Sequence, residues 1–227
     1  EEPIPIPTHG EVRVKIEAAP IHIADLKCIR GEPNFRTFPL PAIPGFEGIG
    51  NIDAIGPGNN DWKIGDRVFL PLACGAWREH ISVKSDEVWS APNGDPSQLS
   101  LLPINPMTAE LMLRDFGDLQ SEDWIIQNAA NSSCGLYLIA LAKLKGIRTI
   151  NVVRRESTVP LLEEAGGDIN LVDGPDLHNR VQKLTGNVPI KMGVDAIAGN
   201  ATTRLGACLT DGGIVLNYGM LSGEPCE

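Results

Sequence analysis

The sequence predicts a chain of two parts, an irregular antiparallel β domain followed by an α/β domain built on a doubly wound parallel sheet. Three observations predict it. A period-two alternation runs through residues 10–92, helix and strand patterns alternate after residue 96, and a small polar turn, Asn128-Ala129-Ala130-Asn131-Ser132-Ser133-Cys134-Gly135, separates the first strand of that second pattern from its first helix. The parts are expected to be residues 1–104 and 105–227.

In the first part Val12, Val14 and Ile16 alternate with Arg13, Lys15 and Glu17, the mark of a half-buried strand. Further strands are expected at 48–55, 67–70, 77–83 and 88–91, with turns at Gly56-Pro57-Gly58 and Gly65-Asp66. Pro92-Asn93-Gly94-Asp95-Pro96 reads as the exit from this part.

In the second part Trp124-Ile125-Ile126 opens a strand, and a helical stretch follows to Lys145. Strands at 149–153, 169–172, 193–197 and 213–218 then alternate with helices at 159–165, 177–184 and 202–209. That makes five strands, whereas a doubly wound dinucleotide sheet normally has six. The sheet is therefore expected to be incomplete.

Composition bounds the partners. With 227 residues and 42% hydrophobic side chains the chain can bury a substantial core, and no apolar run approaches the ~20 residues that cross a bilayer. A net charge of −10 argues against nucleic acid as a partner, since Arg154-Arg155 is the one basic cluster. Five cysteines form no Cys-x-x-Cys pair, and no charged-then-apolar leader opens the sequence. A reducing compartment is expected, the cytoplasm or alternatively the mitochondrial matrix.

In a doubly wound sheet the cofactor's pyrophosphate sits at the N-terminus of the first helix, where free N–H groups and the helix dipole favour anions. The turn at 128–135 lacks the full Gly-x-Gly-x-x-Gly pattern, but the hydroxyls of Ser132 and Ser133 can donate to phosphate oxygens. The alternative for the same residues is a plain capped helix start. At the end of the second strand, where an acidic residue would accept hydrogen bonds from the ribose of NAD, the chain has Arg154-Arg155. Two guanidinium groups suit a 2′-phosphate, so NADPH is the expected cofactor, the alternative being two solvated arginines.

The order of domains resembles that of the medium-chain dehydrogenases and reductases, whose first domain is GroES-like and whose second is a Rossmann domain. Pro44-Gly45-Phe46-Glu47-Gly48-Ile49-Gly50 is similar to the Gly-His-Glu-x-x-Gly of zinc alcohol dehydrogenases, with Phe46 in the place of the zinc-binding histidine. No cysteine stands at 21–24, where that family's other ligand would fall, so the resemblance is to the zinc-independent branch. Glu47 is then read as a support for the turn at residues 45–48.

Within that branch three stretches resemble the enoyl thioester reductases of fatty-acid synthesis: Asn105-Pro106-Met107-Thr108-Ala109, Ile126-Gln127-Asn128-Ala129-Ala130-Asn131-Ser132 and Thr149-Ile150-Asn151-Val152-Val153-Arg154. The resemblance implies that Asn105 and Thr108 lie near the nicotinamide, that Asn131, Ser132, Ser133 and Cys134 hold the pyrophosphate, that Arg154 and Arg155 meet the 2′-phosphate, and that Tyr218, Gly219, Met220 and Leu221 continue the groove. Asn105 also reads as a helix N-cap before Pro106. A homodimer acting on a thioester of CoA or acyl carrier protein is implied, and the resemblance that the motifs of both parts carry also implies a chain truncated at both ends.

In the implied reaction hydride reaches the β-carbon of a 2-enoyl thioester, the enolate oxygen needs a hydrogen-bond donor and the α-carbon needs a proton. The family's tyrosine for this role is absent from Ile29-Arg30-Gly31-Glu32-Pro33-Asn34-Phe35. His22 and Asn34 are the candidate catalytic residues in its place. Two alternatives stay open: a quinone or enone reductase that uses NADPH without zinc, and a catalytically silent NADPH-binding relative.

Overall fold

The computed structural model describes residues 3–32, 37–58 and 61–226. The chain divides into two compact units, Glu1–Ile104 and Asn105–Glu227.

The first unit contains β1 (Glu11–Ala18), α1 (Ile23–Arg30), β2 (Ile49–Ile55), β3 (Arg67–Phe69), β4 (His80–Lys84), β5 (Trp89–Ser90) and the single turn α2 (Pro96–Leu99). The strands form one antiparallel sheet in the order β4-β1-β2-β3-β5. The alternation in β1 does what the sequence predicts: Val12 and Val14 are fully buried and pack with Ile52, Val68, Leu70, Ile81 and Val83. Register shifts between Arg13 and Val14 and between Ile16 and Ala18 bend β1 against β2, which accounts for the irregular look of the pattern.

β4 starts at His80 rather than at Trp77. The backbone N–H of Trp77 donates to Pro44 O and its indole donates to Pro20 O, so this residue serves the loops and not the ladder.

The second unit contains α3 (Asn105–Asp115), β6 (Trp124–Gln127), α4 (Ser133–Leu144), β7 (Arg148–Val153), α5 (Val159–Glu164), β8 (Ile169–Val172), α6 (Leu177–Thr185), β9 (Ile190–Asp195), α7 (Asn200–Gly206) and β10 (Ile214–Asn217). Its five strands are all parallel, in the order β10-β9-β6-β7-β8. In order of appearance that is 5-4-1-2-3, the doubly wound arrangement, and the strand order reverses at β6.

The sheet is covered on both faces, as a parallel sheet requires. Ile125 faces a cluster with Ala109, Met112, Leu138 and Ala142 from α3 and α4. Its neighbour Ile126 faces the opposite way, into Leu177, Val181 and Leu205 from α6 and α7. Both are fully buried, which is why β6 reads as an uninterrupted apolar run.

β9 begins at Ile190, three residues before the apolar run that marked it in the sequence. Lys191 fits inside the strand because its ammonium donates to Asp123 at 2.8 Å. α7 is displaced in the same direction, covering Asn200–Gly206, with Cys208 and Leu209 in the turns that follow. Asn105 is itself the first helical residue of α3 rather than a cap preceding it. Among the described residues no helix is long and apolar enough to cross a membrane.

Candidate functional site

In an open parallel sheet ligands bind beyond the carboxyl ends of the strands, where the order reverses. Here that place is the turn from Gln127 at the end of β6 to Ser133 at the start of α4. The turn is tied to both neighbouring strands: Asn128 N donates to Val194 O and Ala130 N to Val152 O. Ala129 sits at φ 46°, a left-handed conformation uncommon for a residue with a side chain. Gly135 permits the tight return of the chain, since a Cβ there would lie 2.6 Å from Ala130 O.

Ser132 is the N-cap of α4, and its hydroxyl accepts a hydrogen bond from Gly135 N at 3.1 Å. The capped-start reading of this serine therefore describes its geometry. Asn131 is exposed, Ser133 half-buried and Cys134 buried. The helix behind them has twelve residues, long enough for its dipole to favour an anion at this end.

Tyr218, one residue beyond β10, packs against the cluster that contains Cys134 of this turn. Burial pushes the phenol above its usual range and the Cys134 thiol up to about 11, so both are neutral at physiological pH. Gly219 follows because a Cβ there would approach Ala196 O to 2.7 Å. Met220 and Leu221 are exposed, at 46% and 54%. Asn105 and Thr108, spaced i, i+3 on α3, share one face of its first turn; α3 packs on α4 through Ala109, Met112 and Leu113. Arg154 and Arg155 stand exposed after β7, and among the described residues neither has an ion-pair partner.

Sequence reasoning missed Asp195. Its carboxylate is fully buried at the end of β9 and accepts from Asn128 Nδ2 at 2.5 Å, Thr202 Oγ1 at 2.6 Å, Asn217 Nδ2 at 3.0 Å, and the amides of Ile197 at 2.9 Å and Ala198 at 3.1 Å. Burial alone would favour the neutral acid, but the donors outweigh it and hold the group below the usual carboxylate range. Asn128 completes the link by accepting from Ala196 N at 2.8 Å. An aspartate closing an apolar strand and followed by Ala196-Ile197-Ala198-Gly199 is the signal that could have revealed it.

In the first unit His22 is the N-cap of α1, its Nδ1 accepting from Ala24 N at 3.2 Å while Asp25 accepts from His22 N at 2.9 Å. Burial lowers the imidazole pKa, with Asp25 acting in the opposite sense. Asn34 lies outside the described residues. Glu47 does not support the 45–48 turn. That task belongs to Asp25, whose other oxygen accepts from Gly45 N at 3.0 Å. Glu47, fully buried, instead accepts from Ile104 N at 3.1 Å, and its second oxygen has no partner among the described residues. Burial pushes its pKa up to about 7, the Ile104 amide pulling it back and Asp25 adding to the rise.

Phe46 occupies a half-buried position, its ring edge-on to Phe38 with centroids 6.4 Å apart. The two rings line a recess of about 280 Å³ together with Asp25, Cys28, Ile29 and Ile43. Among the described residues no group of three or more His, Cys, Asp or Glu side chains is placed to hold a metal ion.

A five-stranded parallel sheet with a capped, anion-favouring turn at its switch point defines the doubly wound nucleotide-binding class, here preceded by an antiparallel β unit. Residues 8–93 match the alcohol dehydrogenase GroES-like domain. The chain is 36% identical over 226 residues to the mitochondrial enoyl-[acyl-carrier-protein] reductase of Dictyostelium discoideum, covering 96% of this chain and 64% of that protein. A Bacillus thuringiensis crystal structure assigned as an NADPH:quinone reductase superposes with a TM-score of 0.86 at 30% identity, over 99% of this chain and 68% of that one. A mycobacterial protein solved with NADPH gives 0.85 at 26% identity, over 100% and 70%. The chain belongs to the medium-chain dehydrogenase/reductase family, and it spans 64% of the length of the Dictyostelium relative.

Proposed function

We propose that this chain carries the cofactor site and part of the substrate site of an NADPH-dependent reductase that saturates the C=C bond of a 2-enoyl thioester. The observation that carries the reading is the pair Arg154 and Arg155, exposed and without ion-pair partners among the described residues, at the end of the strand adjoining the α4 turn. Guanidinium groups free to form bidentate bonds there suit the 2′-phosphate of NADPH, while the α4 N-terminus suits its pyrophosphate. Bound NADPH supplies the hydride.

The chain's own groups would do the rest. Asn131, Ser132, Ser133 and Cys134 would meet the phosphates, Tyr218 with Gly219, Met220 and Leu221 would continue the groove, and Asn105 and Thr108 would approach the nicotinamide from α3. His22, with Nδ1 engaged as an acceptor, keeps its proton on Nε2, where it can be donated to an enolate. Asn34 is the second candidate donor. Phenylalanine at position 46 cannot ligate zinc, so the reaction is proposed to run without it, the enolate charge being met by hydrogen bonds. The curated relatives, named as mitochondrial enoyl-[acyl-carrier-protein] reductases, support an acyl-carrier-protein thioester and a mitochondrial location over the cytoplasm; CoA as the alternative carrier, fatty-acid metabolism and the matrix are part of the proposal. A homodimer is part of the same proposal.

The test is NADPH oxidation by the full chain with crotonyl-CoA, a quinone, or no acceptor. Turnover with crotonyl-CoA is expected. Turnover with the quinone alone would replace this reading with the second one, which the Bacillus thuringiensis likeness favours. NADPH binding without turnover on either would mark a silent relative.

A further inference from the structure

We propose that the buried Asp195 carboxylate is a fixed negative charge that makes the crevice of the second unit favour the oxidised over the reduced form of its dinucleotide. The inference rests on the cofactor reading above and adds a role for a residue that touches none of the phosphate-binding groups assigned there.

Five donors meet this carboxylate, and all are neutral: two side-chain amides, one hydroxyl and two backbone N–H groups. Among the described residues no Lys, Arg or His pairs with it. Hydrogen bonds from neutral groups stabilise the anion without cancelling its net charge, so a full negative charge remains in a low-dielectric interior. Other aspartates beside the strand ends are arranged differently. Asp173 is matched by Arg204, Asp168 by Arg148 and Asp123 by Lys191.

Position makes the charge consequential. A doubly wound sheet binds one mononucleotide on each side of the reversal. β6 and β7 carry the α4 turn and the two arginines, which leaves the nicotinamide half to the β9 and β10 side, where Asp195 lies. The charge adjoins the groove: Tyr218 N donates to Asp195 O at 2.9 Å, and Asn217, one residue before Tyr218, donates to the Asp195 carboxylate at 3.0 Å. The nicotinamide ring is cationic when oxidised and neutral when reduced. A nearby anion therefore tightens binding of the oxidised form relative to the reduced form, which makes the bound reduced cofactor a stronger hydride donor.

The experiment is calorimetric titration of the full chain and its variants with NADP+ and with NADPH. Asp195→Asn removes the charge at nearly constant shape: its oxygen can stay toward Asn128, Ile197 and Ala198, while Thr202 Oγ1 and the Asn217 amide turn to accept from the new Nδ2. The ratio Kd(NADP+)/Kd(NADPH) is expected to rise about tenfold. Thr202→Val removes one donor and keeps the charge, so a structural effect alone weakens both forms together and leaves the ratio where it was. Should Asp195→Asn fail to fold, Asn217→Lys places an ammonium beside the carboxylate from an exposed position and is expected to move the ratio in the same direction. A folded Asp195→Asn variant with an unchanged ratio overturns this inference alone. Wild-type protein that binds neither form defeats the cofactor reading itself.

Discussion

Gln127 Nε2 donates to Asn151 Oδ1 at 2.8 Å inside the parallel sheet, joining β6 to β7 through two side chains that are almost fully buried. The same Gln127 amide reaches Gly135 O at 3.1 Å, and Asn151 passes the chain on to Thr149 Oγ1 and Asn170 Oδ1, each at 3.0 Å. Polar residues here would be costly in isolation, but linked in this way they fix the α4 turn to the second and third strands of the sheet.

Replacing Gln127 by Leu should leave Asn151 Oδ1 without its donor in a dry interior. A loss of about 1–3 kcal/mol in urea unfolding is expected, with weaker NADPH binding because the Gly135 tether goes too. An unchanged unfolding midpoint would show that the pair is dispensable.

His22 separates capping from proton donation by substitution. His22→Ala should cost about 1 kcal/mol of stability, and His22→Asn, which retains a good cap, only a few tenths. If His22 is also the proton donor, both variants lose turnover with crotonyl-CoA. Full activity in His22→Asn would leave the cap as its whole role.

Glu47 predicts an unusual pH dependence. Its folded pKa, near 7, lies above the ordinary 4.5, so between those values the folded state holds more protons than the unfolded state and stability declines as pH rises through this window. Above it the penalty is constant, roughly 3 kcal/mol. Glu47→Gln lacks the titration, so the variant should gain on wild type between about pH 5 and pH 7 and keep that advantage at pH 8. A constant difference across the range would contradict this.

Arg154→Ala combined with Arg155→Ala should weaken NADPH binding by about 10- to 100-fold and leave NADH binding unaltered. Equal losses for both cofactors would place the arginines away from the 2′-phosphate.

The periodicities that revealed β1 and the βαβ alternation were legible because they are local: Val12 and Val14 on one face, Ile125 and Ile126 in a doubly covered strand. Boundaries set by distant partners were not. Lys191 extends β9 only because Asp123 accepts its charge, and Trp77 leaves β4 because Pro20 and Pro44 take its two N–H groups. Site residues follow the same division. The serines of the turn and the paired arginines announce themselves by type and place, whereas Asp195 depends on Asn128, Thr202 and Asn217, which lie 67, 7 and 22 residues from it, and no spacing rule joins them. The turn support expected of Glu47 falls to Asp25 because a carboxylate's partners cannot be read from its neighbours in the chain.

The Asp25 carboxylate, almost fully buried, accepts a hydrogen bond from His22 N with one oxygen and from Gly45 N with the other. Hydrogen exchange at these two sites should therefore share one opening event. Deuterium ought to enter both at a common rate set by detachment of the α1 start from the loop, and Asp25→Asn should release the pair together, so that two amides distant in sequence report as one kinetic unit.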